Sequence, residues 1–95
     1  MKMPCVYILT NRPNGTRDTG VTSNLSQRVF QHKQAIVAGF TKRYGCKILV
    51  WYENHERMDE AIAREKQIKA GSRANKIGLI MALNANWQDL YQTLA

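Results

Sequence analysis

The sequence predicts an α+β domain, a three-stranded antiparallel sheet packed with helices in the order β-β-α-β-α-α-α. Three observations carry this. A β-branched and aromatic run near the N-terminus is followed by an Asn-Arg-Pro-Asn-Gly turn and a poorer return strand, a further apolar run stands alone in mid-chain, and the second half follows a helical period. A sheet of three strands is stable on its own only with helices against it. The 95 residues suffice for one modest core, so residues 1–95 read as a single domain.

Residues 4–10, Pro-Cys-Val-Tyr-Ile-Leu-Thr, form the first strand. Asn11-Arg-Pro-Asn-Gly15 supplies turn chemistry, with Asn14 and Gly15 able to take positive φ. Residues 16–22 return as a second strand, poor in apolar content and carrying Asp18 at a strand position. Asn24 caps the first helix, and Gln27 three residues later completes a capping box. At ~100° per residue Leu25, Val29 and Ile36 share a face, with His32 near that stripe and Arg28 at its edge. Gly39 is expected to end this helix, before the basic loop Phe40-Thr-Lys-Arg-Tyr-Gly45.

Residues 46–53 form the strongest strand and are expected at the centre of the sheet. The next helix spans residues 57–70, with Met58, Ala61, Ile62 and Ile68 as its apolar face and Glu65 set into that face. A carboxylate there is costly unless it is paired or coordinated. Gly71 and Ser72 stop this helix and cap another, which runs to residue 83 through Ile77, Leu79, Ile80 and Met81. Asn86 is the expected cap of a last short helix over residues 87–93.

Fourteen Lys and Arg against seven Asp and Glu give a net charge of +7. That excess favours polyanions, nucleic acid first, through counterion release. No window approaches the ~20 apolar residues of a membrane span, and the start lacks a signal-peptide pattern. Cys5 and Cys46 are far apart without C-x-x-C spacing, so reduced core thiols in a cytoplasmic protein are expected. The two cysteines and two histidines never fall at zinc-finger spacing.

Four polar features stand out: Tyr7 in a strand, Arg28 and His32 one helical turn apart, Glu65 on an apolar face, and the basic aromatic loop. Singly, each has an ordinary reading: a core aromatic, a solvated helix face, a buried partner for a lysine or arginine, a wet loop. Together they resemble a known family. Val6-Tyr7-Ile-Leu-Thr-Asn, a short turn, a strand ending in Gly20, and Ser-Asn-Leu-x-x-Arg28-x-x-x-His32 are similar to the GIY-YIG nuclease superfamily. The later Ala-x-Ala-Arg64-Glu65-Lys-x-Ile-Lys and the closing Asn84-x-Asn-Trp87-x-Asp-Leu-Tyr91 resemble its small single-domain bacterial members.

The resemblance implies a metal-dependent endonuclease that hydrolyses DNA phosphodiester bonds, weak or structure-selective in action. The alternative is a catalytically impaired binding module on the same fold. By the matched motifs Tyr7 and Arg28 would be catalytic, His32 would fall at a position where some members carry a functional histidine, and Glu65 would hold one Mg²⁺ or Mn²⁺ ion. Arg28 would clamp the scissile phosphate, and a tyrosine or His32 would receive the proton of the attacking water. Lys42, Arg43 and Tyr44, with Phe40, would track or stack on DNA, branched or single-stranded. Asp18, Gly20 and Asn84 are further candidates within the matched motifs. The first motif keeps only its tyrosine, in Cys5-Val6-Tyr7, and the second reads Asp18-Thr19-Gly20 where the family has Tyr-Ile-Gly. An aspartate there would repel a phosphate or add a ligand to a metal.

Overall fold

The computed structural model describes residues 3–34 and 45–94. The expected helix end at Gly39, the stripe position Ile36 and the loop residues Phe40, Lys42, Arg43 and Tyr44 lie outside the described residues. The elements appear in the expected order: β1 (Cys5–Thr10), β2 (Arg17–Thr22), α1 (Leu25–Lys33), β3 (Ile48–Asn54), α2 (Met58–Ala70), α3 (Arg73–Leu83) and a closing 3-10 turn (Leu90–Thr93).

The strand buried along its whole length is β1, which lies between β2 and β3 and is antiparallel to both. This corrects the expectation that residues 46–53 are central: β3 is an edge strand, and Cys46 precedes it. Its apolar sequence reflects cores on both faces of the sheet rather than a neighbour on each side. The open edge is covered from the C-terminus. Asn84 Nδ2 donates to the Val50 carbonyl at 3.2 Å, and Asp89 Oδ1 accepts the Leu49 N–H at 3.2 Å. Covering an edge in this way blocks strand-to-strand association.

Side-chain alternation divides the interior into two layers. Cys5, Tyr7 and Leu9 face α1, packing with Leu25, Val29, Cys46 and Leu49, and with Leu90 and Leu94 from the C-terminal segment. Val6 and Ile8 face the opposite way, into a core completed by Ala61 and Ile68 of α2, Ile80 of α3 and Trp87. The β1–β3 register shifts between Ile8 and Leu9, leaving Val50 as the extra residue of a bulge. The bulge lets the consecutive residues Val50 and Trp51 both enter the α2–α3 core, which strict alternation would forbid.

The caps follow the local sequence. Asn24 Oδ1 accepts the Gln27 N–H at 3.3 Å, and the reciprocal bond runs from Asn24 Nδ2 to the Gln27 side chain. Ser72 Oγ caps α3 through the Asn75 N–H at 3.1 Å. Each such cap is worth about 1 kcal/mol. In the hairpin Asn14 takes φ +57°, and Asn11 Oδ1 accepts the Thr16 N–H at 3.0 Å.

Two further expectations are corrected. Ile62 is exposed, because Ala61 and Ile68 set the buried face of α2 and Ile62 falls beside it. The last helical element is a 3-10 turn capped by Asp89, not a helix capped by Asn86. Asp89 is positioned for this because its carboxylate also pairs with Lys33 of α1. Trp87, at φ +55°, turns the chain back to fill the α2–α3 core. Both cysteines are free and buried, and burial pushes the Cys5 thiol up to about 11.

Candidate active site

Tyr7 is at the middle of the central strand, directly opposite Gly20 of β2. A Cβ on residue 20 would lie 2.5 Å from Tyr7 Cζ and nearer still to the hydroxyl, so the phenol lies across the space that glycine leaves. The hydroxyl meets α1. Arg28 Nε–H donates to Tyr7 Oη at 3.2 Å, and Tyr7 Oη lies 3.4 Å from His32 Nε2. The helix sets this up because residues four apart project from one face, and Leu25 and Val29 anchor that face in the core. Tyr7 and His32 are each only 2% exposed, and Arg28 is half-buried. The bond to Tyr7 uses Nε of Arg28 and not the terminal nitrogens of its fork.

Electrostatics sets the protonation states. Burial raises the Tyr7 pKa, against the hydrogen bond and charge of Arg28, so the phenol is protonated at neutral pH. Burial lowers the His32 pKa, and the Arg28 charge lowers it further, so the imidazole is neutral. His32 Nδ1 is buried without a partner among the described residues. Nε2 accepts from the Tyr7 hydroxyl when the ring proton is on Nδ1, and donates when it is on Nε2.

Asp18 shares the face of Gly20 and Tyr7, two residues along β2. Its charge pulls the pKa values of Tyr7, His32 and Cys46 upward. Glu65 approaches from the opposite layer. It lies on α2 between Ala61 and Ile68, its side chain 15% exposed, and pairs with Lys69 at 3.0 Å. The Lys69 charge in turn acts on Tyr7, which ties this ion pair electrostatically to the cluster. No hydrogen bond or ion pair joins Glu65 directly to Tyr7, Arg28 or His32 among the described residues. The i,i+4 spacing of Glu65 and Lys69 is the sequence signal for their pairing. The adjacent Arg64 instead reaches Glu53 of β3 at 3.1 Å.

Asn84 is placed elsewhere. It is buried beside Trp87, bonded to Val50 and Gln88, and holds the edge of β3. A groove of about 460 Å³ between α2 and α3, lined in part by Ile68, Ala74 and Leu79, likewise contains neither Tyr7 nor Arg28.

The donor chemistry at Glu65 is that of a hard cation. No group of three or more His, Cys, Asp or Glu gathers for a metal among the described residues, which argues against a closed protein cage. A single carboxylate, with waters and phosphate oxygens completing the shell, is a donor set that a hard divalent cation accepts, and Glu65, here paired with Lys69, has that chemistry.

A sheet of this topology, with a tyrosine on its central strand hydrogen-bonded to a helical arginine, defines a class. The model of the GIY-YIG catalytic domain matches residues 3–78, and the chain belongs to that family of nucleases. Its relatives include the UPF0213 protein SH2523 of Staphylococcus haemolyticus, 35% identical over 79% of this chain and 90% of the relative. The UPF0213 protein CPE1444 of Clostridium perfringens is 37% identical over 82% of this chain and 83% of its own. The solution NMR structure of the UPF0213 protein BH0048 from Bacillus halodurans superposes with a TM-score of 0.57 at 25% identity, covering 97% of each chain.

Proposed function

We propose that this chain is a divalent-metal-dependent DNA endonuclease whose catalytic residues are Tyr7, Arg28 and His32, with Glu65 holding one Mg²⁺ or Mn²⁺ ion. The observation that supports this reading is the Arg28 Nε–Tyr7 Oη bond of 3.2 Å, which orients the guanidinium through Nε, and its terminal nitrogens would clamp the phosphate. The bound ion would supply Lewis-acid stabilisation of the leaving oxygen. Arg28 orients the scissile phosphate and offsets the charge that develops on it. The attacking water gives its proton to Tyr7 Oη as the phenol proton passes to His32 Nε2. A neutral imidazole is the state this transfer requires, and burial provides it. The negative charge of Asp18 stabilises the imidazolium formed, in keeping with its upward pull on the His32 pKa. Basic residues would hold the DNA, with Lys42 and Arg43 tracking its backbone and Tyr44 stacking on a base. The substrates proposed are branched or single-stranded DNA, selected by structure. A single copy of the domain cuts one strand per encounter.

A nicking assay on branched and single-stranded DNA with Mg²⁺ or Mn²⁺ tests this. Arg28→Ala and Glu65→Ala are each expected to slow cleavage by roughly 100-fold or more. Cleavage that survives both substitutions would remove the assignment.

Two observations favour a second reading, a binding module with impaired catalysis. Asp18 stands where the family has a tyrosine, and Lys69 already occupies the carboxylate of Glu65. On this reading the wild type and both variants bind DNA equally and cut nothing, whereas Asp18→Tyr gains cleavage.

A further inference from the structure

Both helical members of the Tyr7–Arg28–His32 cluster belong to α1, a helix of nine residues whose aliphatic anchors, Leu25 and Val29, lie in its first five. Such a helix is marginal on its own, since isolated helices need ~12–15 residues, and its last turn is the part that frays. His32 is in that last turn. One residue on, Lys33 projects ~100° further round the helix, so it leaves the sheet-facing ring and reaches the start of β3.

There the Lys33 ammonium meets three groups. Nζ pairs with Asp89 Oδ2, donates to the Lys47 carbonyl at 2.8 Å, and lies 5.1 Å from the centre of the Tyr91 ring. Asp89 is itself fixed, because its Oδ1 accepts the Leu49 N–H at 3.2 Å and the Tyr91 N–H at 3.1 Å. The Lys33 and Asp89 side chains are 24% and 27% exposed, so water competes for this pair less than for the open pair Arg57–Asp59. One carboxylate thus fastens the end of α1 both to β3 and to the closing 3-10 turn. What the fastening protects is the contact of Tyr7 Oη with His32 Nε2. At 3.4 Å it is longer than the bond from Arg28 and is the first to be lost if the turn drifts outward.

We propose that Lys33 and Asp89 are positioning residues for the candidate site: their pair holds the last turn of α1 against β3 and so keeps His32 Nε2 within reach of the Tyr7 hydroxyl. That His32 then takes part in DNA cleavage rests on the nuclease reading; the placing of its ring does not. Neither Lys33 nor Asp89 touches the reacting atoms, and both act through the ring of His32.

The test reads the His32 ring by NMR titration, with His55, just beyond the far end of β3, as a reference in the same sample. Tyr7 of β1 faces the ring, and among the described residues Arg28 and Asp18 are the charges that act on it. Asp89→Asn keeps an oxygen for the Leu49 and Tyr91 amides and breaks only the link to α1. Lys33→Met keeps the stem and removes the charge. In each, the ring loses cover and its pKa is expected to rise toward about 6.5, the ordinary value. Loss of the Asp89 charge alone would push the other way, so a rise in Asp89→Asn reports displacement. The double variant should rise no further than either single one, and Lys33→Arg, which keeps the charge, should retain the wild-type value. Ser72→Ala removes the cap of α3, lowering stability without touching α1, and should leave His32 unmoved. In a protein that cuts, kcat should fall about tenfold in both single variants while KM for DNA changes little. A His32 pKa unmoved in both, or moved equally by Ser72→Ala, overturns the positioning role, as does an unchanged kcat, and each leaves the nuclease reading standing. A displaced ring in a protein that never cuts does the reverse. Should Asp89→Asn fail to fold, Lys33→Met carries the test, because both backbone bonds of Asp89 remain.

Discussion

Tyr7 and Gly20 define each other. The phenol crosses β2 only because residue 20 has no side chain, and in that position its oxygen reaches both Arg28 and His32. The cluster stores a pH dependence in His32. Its folded pKa lies below the ordinary value, so the unfolded chain binds the proton more readily than the native one. Stability contributed by the neutral ring is therefore complete above about 6.5, the unfolded value, and is lost as pH falls from there toward the folded pKa. The expected result is a urea midpoint for the wild type that falls between about pH 7.5 and about pH 5 by more than that of His32→Gln, the rest of the acid response being shared. Equal falls in the two proteins would mean that His32 is not held neutral by its surroundings.

At the scale of elements, the unexpected feature is an edge strand as apolar as a central one. β3 can be so because Asn84 and Asp89 satisfy backbone groups of Val50 and Leu49 that no strand pairs among the described residues. Asn84→Ala removes the amide donated to Val50 together with two bonds to Gln88, in a buried site. The expected cost is about 1–3 kcal/mol by denaturant titration. Faster hydrogen exchange should appear at the Leu49 amide, since the segment carrying Asp89 is released with it. An unchanged Leu49 exchange rate would separate the two contacts. The sequence could place the elements themselves because their signals are local: Asn24 with Gln27, Ser72 before α3, and Asn14 at the hairpin turn. It could not place β3 at the edge, because the groups that cover that edge come from the far end of the chain. The bulge at Val50 was hidden for a related reason: an apolar run reads the same with or without a change of face.

On the scale of the molecule, the proposed site would draw on three elements that come together only in the folded chain: β1 with Tyr7, α1 with Arg28 and His32, and α2 with Glu65. Motif spacing singled out those residues in the sequence, and the structure bonds Tyr7 to Arg28 and to His32 while pairing Glu65 with Lys69. The bond from Arg73 Nη2 of α3 to the Asn14 carbonyl carried no such signal, since hairpin and helix come together only through tertiary packing. What composition did announce is the net charge of +7, and it has a kinetic consequence. Basic residues that neutralise phosphates release counterions on binding, whereas the proposed chemical step would move its proton between the buried Tyr7 and His32, where solvent ions are largely excluded. If the chain cuts DNA as proposed, kcat/KM is expected to fall steeply as salt rises, by about 0.9 log unit per log unit of salt for each phosphate neutralised. Over the same range kcat at saturating DNA should change by less than about twofold, because buried pairs are little screened. Steady-state kinetics at several salt concentrations separates the two quantities. A parallel fall in both would place salt-sensitive groups in the chemical step itself, and would count against a proton path through the buried Tyr7–His32 pair.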